Sequence, residues 1–386
     1  MRVGIVGAGI GGLCTAIGLQ RAGANVTVFE RADELRPGGS GLSVFANGVR
    51  ALDALGVGDQ FRSITSAETR ELRGGQRRPD GTWLATIPSG AVTELRVVDR
   101  ADLHRLLSSA LEPGTVHLAA RVTAATPDGV LHIREAGGRE RIEHFDVVVA
   151  ADGLRSAIRA GWRSDPGVRY AGYAAWRAIT STPADLSGEA GETWGTGLRF
   201  GIAPLADGRV YWFAVATMPE HEQVEDEFAR VQQLFGGWHA PIPRLLDATA
   251  PDAVHRLPIN ELAGRLPSFR QGRVLLLGDA AHAMTPNLGQ GGGQAMEDAA
   301  TLAALLRTLA PQPTPDRTEL ETALTRYDRL RRPRTQKIAQ RSRAIGTLTH
   351  RYGPGVSAIR DLVVRLTPSA ALARQLQSIQ NWNPPS

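Results

Sequence analysis

The chain reads as an α/β protein: a parallel-sheet domain, a second domain built on an antiparallel sheet, and C-terminal helices. Three observations carry that reading. The chain opens on an apolar run, RVGIV, a glycine-rich turn, an apolar-periodic stretch and a second apolar run, VTVF, the strand–helix–strand signature of a parallel sheet. Two later apolar runs, within FDVVVAADG (145–153) and RVLLLGDAA (273–281), are continuous rather than alternating, as in strands buried on both faces. Between them, from about 168 to 265, stretches such as YAAWRAIT, RFGIAPL and VYWFAVAT flank turn residues such as ADGR and read as antiparallel strands.

The elements follow in order. LCTAIGLQRAG is the first helix, closed by a turn at 22–25. PGGSG (37–41) is a glycine-rich loop, and NGVRALDALGV is a helix with Gly56 as its stop signal. Residues around 70–97 mix Gly, Pro, Arg and Thr with strand-like alternation and read as a hairpin excursion out of the first domain. DRADLHRLLSSAL (99–111) is a capped helix, and APQPTPD (310–316) is a proline-rich connector. A long helix is expected from Thr318 to about His350, kinked or interrupted at Pro333, with shorter helical pieces after it. These elements divide the chain into a discontinuous first domain (1–70, 95–165 and 267–345), a sheet domain (71–94 and 166–266) and a C-terminal helical segment (346–386).

Composition narrows the function classes. Of 386 residues, 42% are hydrophobic and 22% charged, enough apolar material for a sizeable core. The net charge of +5 is carried by arginine, Lys337 being the only lysine, and reads as a solvated basic surface rather than a nucleic-acid site. The C-terminal arginines Arg329, Arg331, Arg332, Arg334, Arg341 and Arg343 are likewise expected on a solvated helix face. A single cysteine, Cys14, excludes an internal disulfide and suits a reducing, cytoplasmic setting; its place on the first helix suggests a small buried residue. No basic-then-apolar leader is present, and no apolar run reaches the ~18 residues of a membrane span, so no membrane insertion is expected. There is no nucleophile elbow, H-E-x-x-H or cysteine–histidine spacing, so neither covalent catalysis nor a metal is expected.

The first chemical motif is G-x-G-x-x-G at Gly7, Gly9 and Gly12, between the first strand and helix. The first glycine permits the tight turn, the second lets a pyrophosphate reach the backbone, and the third lets helix pack on strand. The helix N-terminus offers free N–H groups and partial positive charge to phosphates. Glu30, closing the second strand, stands where an acid binds ribose hydroxyls. This pattern predicts a dinucleotide but does not separate NAD from FAD.

Three further stretches do. Asp152–Gly153 opens DGLRSAIR, with Ser156 and Arg159 following; Gly278–Asp279 opens GDAAHAMTPNLGQGGGQAM; and Arg100 lies in VDRADLHRLL. With the N-terminal glycines, these resemble the class A flavoprotein monooxygenases, the para-hydroxybenzoate hydroxylase-like family, over nearly the whole chain. The resemblance implies a Rossmann-like FAD-binding domain of that type, with an antiparallel-sheet substrate domain and C-terminal helices. It implies non-covalent FAD held by Gly7, Gly9, Ile10, Gly11, Gly12, Glu30, Arg31, Ser43, Arg100, Val122, Asp152, Asp279, Gly289, Gly291 and Gly292. Asp279 would meet the ribityl chain. The run Gly289–Gly293 would bring backbone N–H groups, and a helix beginning near Gln294, against the pyrimidine side of the flavin, where reduction places negative charge. His282 is read as structural beside the cofactor rather than as a base.

The chemistry implied is hydroxylation of an aromatic or N-heteroaromatic small molecule through a flavin C4a-hydroperoxide, with O2 and NADH or NADPH as co-substrates. No second G-x-G-x-x-G appears, so the nicotinamide would bind transiently. Arg199 and Tyr211, on neighbouring expected strands, resemble a substrate pair of the FAD-dependent urate hydroxylase branch; a cross-strand packing pair is the alternative. Pro286 is followed there by an aspartate and here by Asn287, which argues against urate, since an amide is no base. Trp176 and Phe213 either wall an aromatic pocket or pack the sheet core. Other readings are an epoxidase or tailoring oxygenase of a larger natural product and a non-enzymatic flavin-bound module. A flavin halogenase would need an active-site lysine that Lys337, on the C-terminal helix, does not supply. The expected partners are small molecules, and the chain is expected to be a monomer or homodimer.

Overall fold

The protein is described by a computed structural model covering residues 1–35, 40–67, 72–88, 91–350 and 354–385. Most of the PGGSG loop, and the residues flanking the 72–88 hairpin, lie outside the described residues.

Strand Arg2–Val6 sits inside a six-stranded sheet ordered Arg270–Gln271, Val274–Leu276, Val147–Ala150, Arg2–Val6, Asn25–Phe29, Val116–His117. All neighbours are parallel except the Arg270–Gln271 edge. The continuous apolar runs are continuous because these strands are covered on both faces: Val147, Val148, Val149, Ala150, Leu275 and Leu276 are wholly buried. Helix Ile10–Arg21 packs on helix Gly291–Leu306 at close range. Added Cβ atoms at Gly11 and Gly18 would lie 3.3 Å and 2.7 Å from the Cβ atoms of Ala295 and Ala303. Cys14 lies in that interface, and burial pushes its thiol up to about 12, so it is an inert packing residue.

The seven-stranded sheet runs His255–Leu262, Val168–Ile179, Val210–Thr217, Leu198–Pro204, Gly191–Trp194, Gly75–Arg77, Trp83–Thr86. The 70–97 excursion supplies its last two strands as a hairpin, joined through a parallel pairing to Gly191–Trp194. Period-two alternation separates the sheet's faces. Ala174, Trp176, Ala178, Trp212 and Phe200 pack with the helices Glu227–Phe235 and Ile242–Asp247. Tyr173, Ala175, Arg177, Tyr211, Phe213, Val215 and Arg199 share the opposite face, toward the parallel-sheet side. Trp176 is therefore a core residue, fully buried and donating Nε1–H to Glu227 Oε2 at 2.6 Å, whereas Phe213 belongs to the cavity face. Two smaller sheets went unread in the sequence: Ala120–Ala125, Val130–Glu135 and Glu140–His144, and the pair Gly41–Phe45 with Leu95–Asp99.

The long helix forms over the expected span; it is not interrupted at Pro333, and its arginines depart from expectation. It runs without a break from Arg317 to His350, through Pro333, its start capped by Asp316 Oδ1 on the Glu319 N–H at 2.9 Å. Proline forfeits one helical hydrogen bond. Buried contacts on both sides of Pro333, at Arg331 and Thr335, hold the helix across that gap. Its arginines are not one solvated face. Arg331 is 1% exposed and paired with both Glu297 and Asp298; Arg334 reaches Glu297 and Arg343 reaches Glu261. Helices Pro354–Leu366 and Ser369–Gln380 follow. Among the described residues, no helix is long and apolar enough to cross a membrane.

Candidate active site

A cavity of about 350 Å³ lies between the parallel sheet's C-terminal edge and the facing side of the seven-stranded sheet. On the first side it is lined by Gly9, Ile10 and Gly11, by Ser43 and Arg100, and by Leu277, Gly278 and Asp279. Its floor is the Pro286–Leu288 turn and the first residues of the following helix, including Pro286, Asn287, Gly289, Gly291 and Gly292. The sheet contributes Tyr173, Arg177, Arg199, Tyr211 and Phe213.

The glycines divide by what stands against them. Gly7 has φ +100°, and an added Cβ on Gly12 would fall 2.0 Å from the Gly7 carbonyl oxygen, so the fingerprint turn needs both. Gly9 and Gly291 have nothing within 4 Å of an added Cβ: they present bare backbone to open space. Gly289, in the left-handed region at φ +60°, faces Phe45 at 3.1 Å, and Gly292 faces Leu42 at 3.3 Å, so these two are also packing glycines. The helix begins at Gly291, three residues earlier than expected, so the glycines themselves form its first turn. Their N–H groups have no acceptor earlier in the helix and carry its positive end. A flat, anion-bearing group fits a cradle of this kind. Asp279 adds to the fit, because its exposed carboxylate makes no hydrogen bond among the described residues while lining the cavity. Asp279→Ala is expected to leave folding intact and to lower FAD retention, read as flavin-to-protein ratio after gel filtration. Wild-type retention would remove Asp279 from the cofactor contacts.

Other expected cofactor residues stand apart from the cavity lining. Glu30 accepts the Ala8 N–H at 2.8 Å and the Ala32 N–H at 2.9 Å, so it organises the fingerprint loop. Arg31 is exposed, and Val122 is buried in the three-stranded sheet. Asp152 Oδ2 accepts the Ala157 N–H at 2.8 Å, while its buried Oδ1 has no hydrogen-bond partner among the described residues; burial raises its pKa against the hydrogen bonds the carboxylate accepts. Ser156 caps the short helix that follows, its Oγ accepting the Arg159 N–H at 3.0 Å. Arg159, buried, donates to the Ala280 carbonyl and thereby ties this segment to the Gly278–Asp279 turn. His282 is buried, 2.6 Å from Asp298, and lies outside the cavity lining.

On the sheet side, Arg199 and Tyr211 both face the cavity but are not cross-strand partners. Arg199 lies opposite Val215, and Tyr211 opposite Ala203. Tyr211 instead presses on Gly41, where an added Cβ would sit 2.1 Å from its ring. Arg199 is 3% exposed, paired to Glu192 and donating to Asn287 Oδ1. Asn287 in turn shares its amide N–H groups among Tyr173 Oη at 2.9 Å, Thr285 Oγ1 at 3.0 Å and the Ser342 carbonyl at 2.9 Å. Asn287 is thus a hub joining turn, sheet and long helix, and its oxygen is already occupied by a cation. Burial raises the pKa of both Tyr173 and Tyr211, so both phenols stay protonated at neutral pH. The His350 ring stacks on Tyr173 at 3.9 Å. Burial, with the Arg199 charge beside it, pushes His350 down to about 3, leaving it neutral. Among the described residues lining the cavity, the sheet side therefore offers cations and neutral donors and no carboxylate. Tyr173, Arg177 and His350 carried no motif, and only their strand or helix position brings them here.

Comparison with known proteins matches this geometry. A family model described as an FAD binding domain covers residues 1–342. The chain is 38% identical to the aurachin C monooxygenase/isomerase of Stigmatella aurantiaca, covering 97% of each. It is 33% identical to the 2-heptyl-3-hydroxy-4(1H)-quinolone synthase of Pseudomonas aeruginosa, covering 98% of this chain and 97% of that one. Klebsiella pneumoniae HpxO, solved with FAD and uric acid, superposes with TM-score 0.84 at 28% identity, over 98% of this chain and 96% of that one. A cavity lined by Gly9 of the fingerprint loop, by Asp279 and by a glycine-led helix, within a chain matched over almost its whole length, places this protein in the FAD-binding family of flavin-dependent aromatic monooxygenases.

Proposed function

We propose that the protein is a single-component monooxygenase that takes NADH or NADPH and O2 and hydroxylates an aromatic or N-heteroaromatic small molecule. The observation that carries this reading is the continuity of one cavity from Gly9, Asp279 and Gly291 to the aromatic sheet face at Tyr211 and Phe213. The cavity, about 350 Å³, is shared by the glycine-lined cradle and the aromatic sheet face, so a ring on the sheet side stands directly against the cofactor's edge. The names of the quinolone-modifying relatives support an N-heteroaromatic ring among the candidates.

FAD, when bound, supplies the redox chemistry and the activated oxygen. In this reading the chain's residues bind, orient and exclude water. Gly7, Gly9, Ile10, Gly11 and Gly12 receive the pyrophosphate side, with Glu30 holding their loop; Arg31, Ser43, Arg100, Val122 and Asp152 complete the cofactor set. Asp279 takes hydroxyls of the cofactor chain. The first-turn N–H groups of Gly291 and Gly292 hold negative charge on the ring. Leu277, Met284, Phe213 and Val215 line a water-poor wall. Arg199, fixed by Glu192 and Asn287, and Tyr211 orient the substrate. The parallel-sheet part (1–70, 95–165, 267–345) serves the cofactor, the sheet part (71–94, 166–266) the substrate, and the C-terminal segment (346–386) closes against both. The protein works in the cytoplasm as a monomer or homodimer.

The experiment is NADH and NADPH oxidation by the FAD-loaded protein across phenolic acids, hydroxypyridines, quinolones and urate, with products weighed for one added oxygen. Substrate-stimulated oxidation with oxygen insertion is expected. Slow oxidation unmoved by every ring would turn the assignment toward a tailoring oxygenase. No reduction of the flavin by either nicotinamide would sink the enzymatic reading.

A further inference from the structure

We infer that Arg177 is the anion-binding residue of the substrate half of the cavity, and that the substrate presents an anionic oxygen on its ring. This rests on the proposed function for the word substrate, but not for the binding itself.

Among the described residues, the charged side chains lining the cavity are Arg100, Arg177, Arg199 and Asp279. Arg100 and Asp279 stand on the glycine-fingerprint side, Arg100 exposed at the head of its helix. The sheet side therefore holds two guanidinium groups and no carboxylate. Their situations differ. Arg199 is already neutralised, because Glu192 takes its Nε and Nη2 and Asn287 takes its Nη1. Arg177 has no hydrogen bond and no ion pair among the described residues, although it is half-buried in the cavity wall. A cation withdrawn from water without a partner is costly, and the usual remedy is an opposite charge.

Register sets what Arg177 can reach. On its own strand it follows Tyr173 and Ala175 on the cavity face, and it lies opposite Phe213. Phe213 in turn lies opposite Gly201, where an added Cβ would meet its ring at 2.0 Å, so the ring fills the space above that glycine. Tyr211 is diagonal to Arg177, close enough for the arginine's charge to oppose the effect of burial on the phenol. Arg199 lies two strands away and two residues along, at roughly 12 Å given the ~4.8 Å strand spacing and ~3.4 Å rise per residue. The apolar Phe213 and Val215 separate the two cations. A planar ring laid over those two side chains would have a neutralised, positioning arginine toward one end and an uncompensated one toward the other. Such a ring would turn its anionic oxygen to Arg177. A ring carboxylate and a deprotonated ring hydroxyl share this chemistry, and a guanidinium binds either through paired N–H donors.

The test measures binding without turnover, by flavin absorbance on the FAD-loaded protein with no nicotinamide present. The probes are 4-hydroxybenzoate with its neutral partner 4-hydroxybenzamide, for the carboxylate, and 4-hydroxyquinoline with 4-methoxyquinoline, for the ring oxygen. Wild type is expected to bind at least one anion-forming probe about tenfold or more tighter than its neutral partner, and the pair that shows the preference identifies the source. Arg177→Met should erase that preference while leaving the neutral partner's affinity unchanged, and Arg177→Lys should restore part of it. Wild-type melting temperature and flavin content in the variants separate this from misfolding. Equal affinity within both pairs, or an equal loss of both partners in Arg177→Met, overturns the inference. An Arg177-dependent preference without oxygen insertion would sink the proposed reaction and leave the binding site standing.

Discussion

Arg331→Met should destabilise the protein by about 3–5 kcal/mol, the usual consequence of stranding buried charge. Arg331 Nε lies 2.6 Å from Asp298 Oδ1 and its Nη1 lies 2.5 Å from Glu297 Oε2, all three side chains being almost wholly buried. The cluster reaches further. Asp298 Oδ2 accepts the Gly278 N–H at 3.0 Å, and Glu297 Oε1 accepts from Asn47 at 2.7 Å. One guanidinium on the long helix thus fixes the Gly278–Asp279 turn and the glycine-led helix, so flavin retention should fall with stability. Urea unfolding and flavin content would measure both. The pH dependence follows from the signs. Burial pushes the Glu297 carboxyl up, but Arg331 and Arg334 outweigh it; burial pushes Asp298 up, but His282 and Arg331 outweigh it, so both folded pKa values are lowered. Their stabilisation is present above the ordinary carboxylate range of ~4 and is lost as pH falls through the lowered values. Without Arg331, burial gains at these carboxylates, so the variant's deficit should be largest at neutral pH and shrink on acidification. A deficit that is flat from pH 7 to 4 would mean that packing, not charge, is what Arg331 contributes.

Gly12→Ala should abolish FAD retention and lower the melting temperature together, because its Cβ would fall 2.0 Å from the Gly7 carbonyl oxygen, a backbone atom that no side-chain rotation can move. The helix would have to leave the strand it packs on, and the pyrophosphate site goes with it. Gly9→Ala is the contrast. Nothing lies within 4 Å of its Cβ, so the fold should melt as wild type and only flavin content should drop. The pair separates a glycine required by the protein's own packing from one required by a ligand. Wild-type flavin content in Gly12→Ala would show that the loop can relax. Wild-type content in Gly9→Ala would show that the cofactor does not approach there.

How much of this was legible beforehand depends on the range of the forces involved. Local patterns were sufficient for the fingerprint turn, whose φ and close packing are short-range demands, for buried strands with continuous apolar runs, and for the cap at Asp99, where Oδ1 accepts the Ala101 N–H at 2.9 Å. The same local reading placed the long helix but misjudged its face. A row of arginines suggested solvated charge, because local charge pattern carries no information about a carboxylate pair 33 and 34 residues upstream. Asn287 shows the same limit. As an isolated substitution it reads as the loss of an acid, but its neighbours turn it into a junction between Arg199, Tyr173 and Ser342.

The order of residues along the chain was enough for an α/β protein with a glycine-lined dinucleotide edge, since that motif acts through backbone conformation within a few residues of itself; that the dinucleotide is FAD came from the family resemblance of the later motifs. Which side chains face the cavity was settled by strand register. That register puts Arg177, Tyr173 and Phe213 on one face and sends Trp176 to the other. A shift of one residue would exchange those sets. Register is a long-range outcome of packing two sheets around one cavity, and no short stretch of this chain encodes it alone.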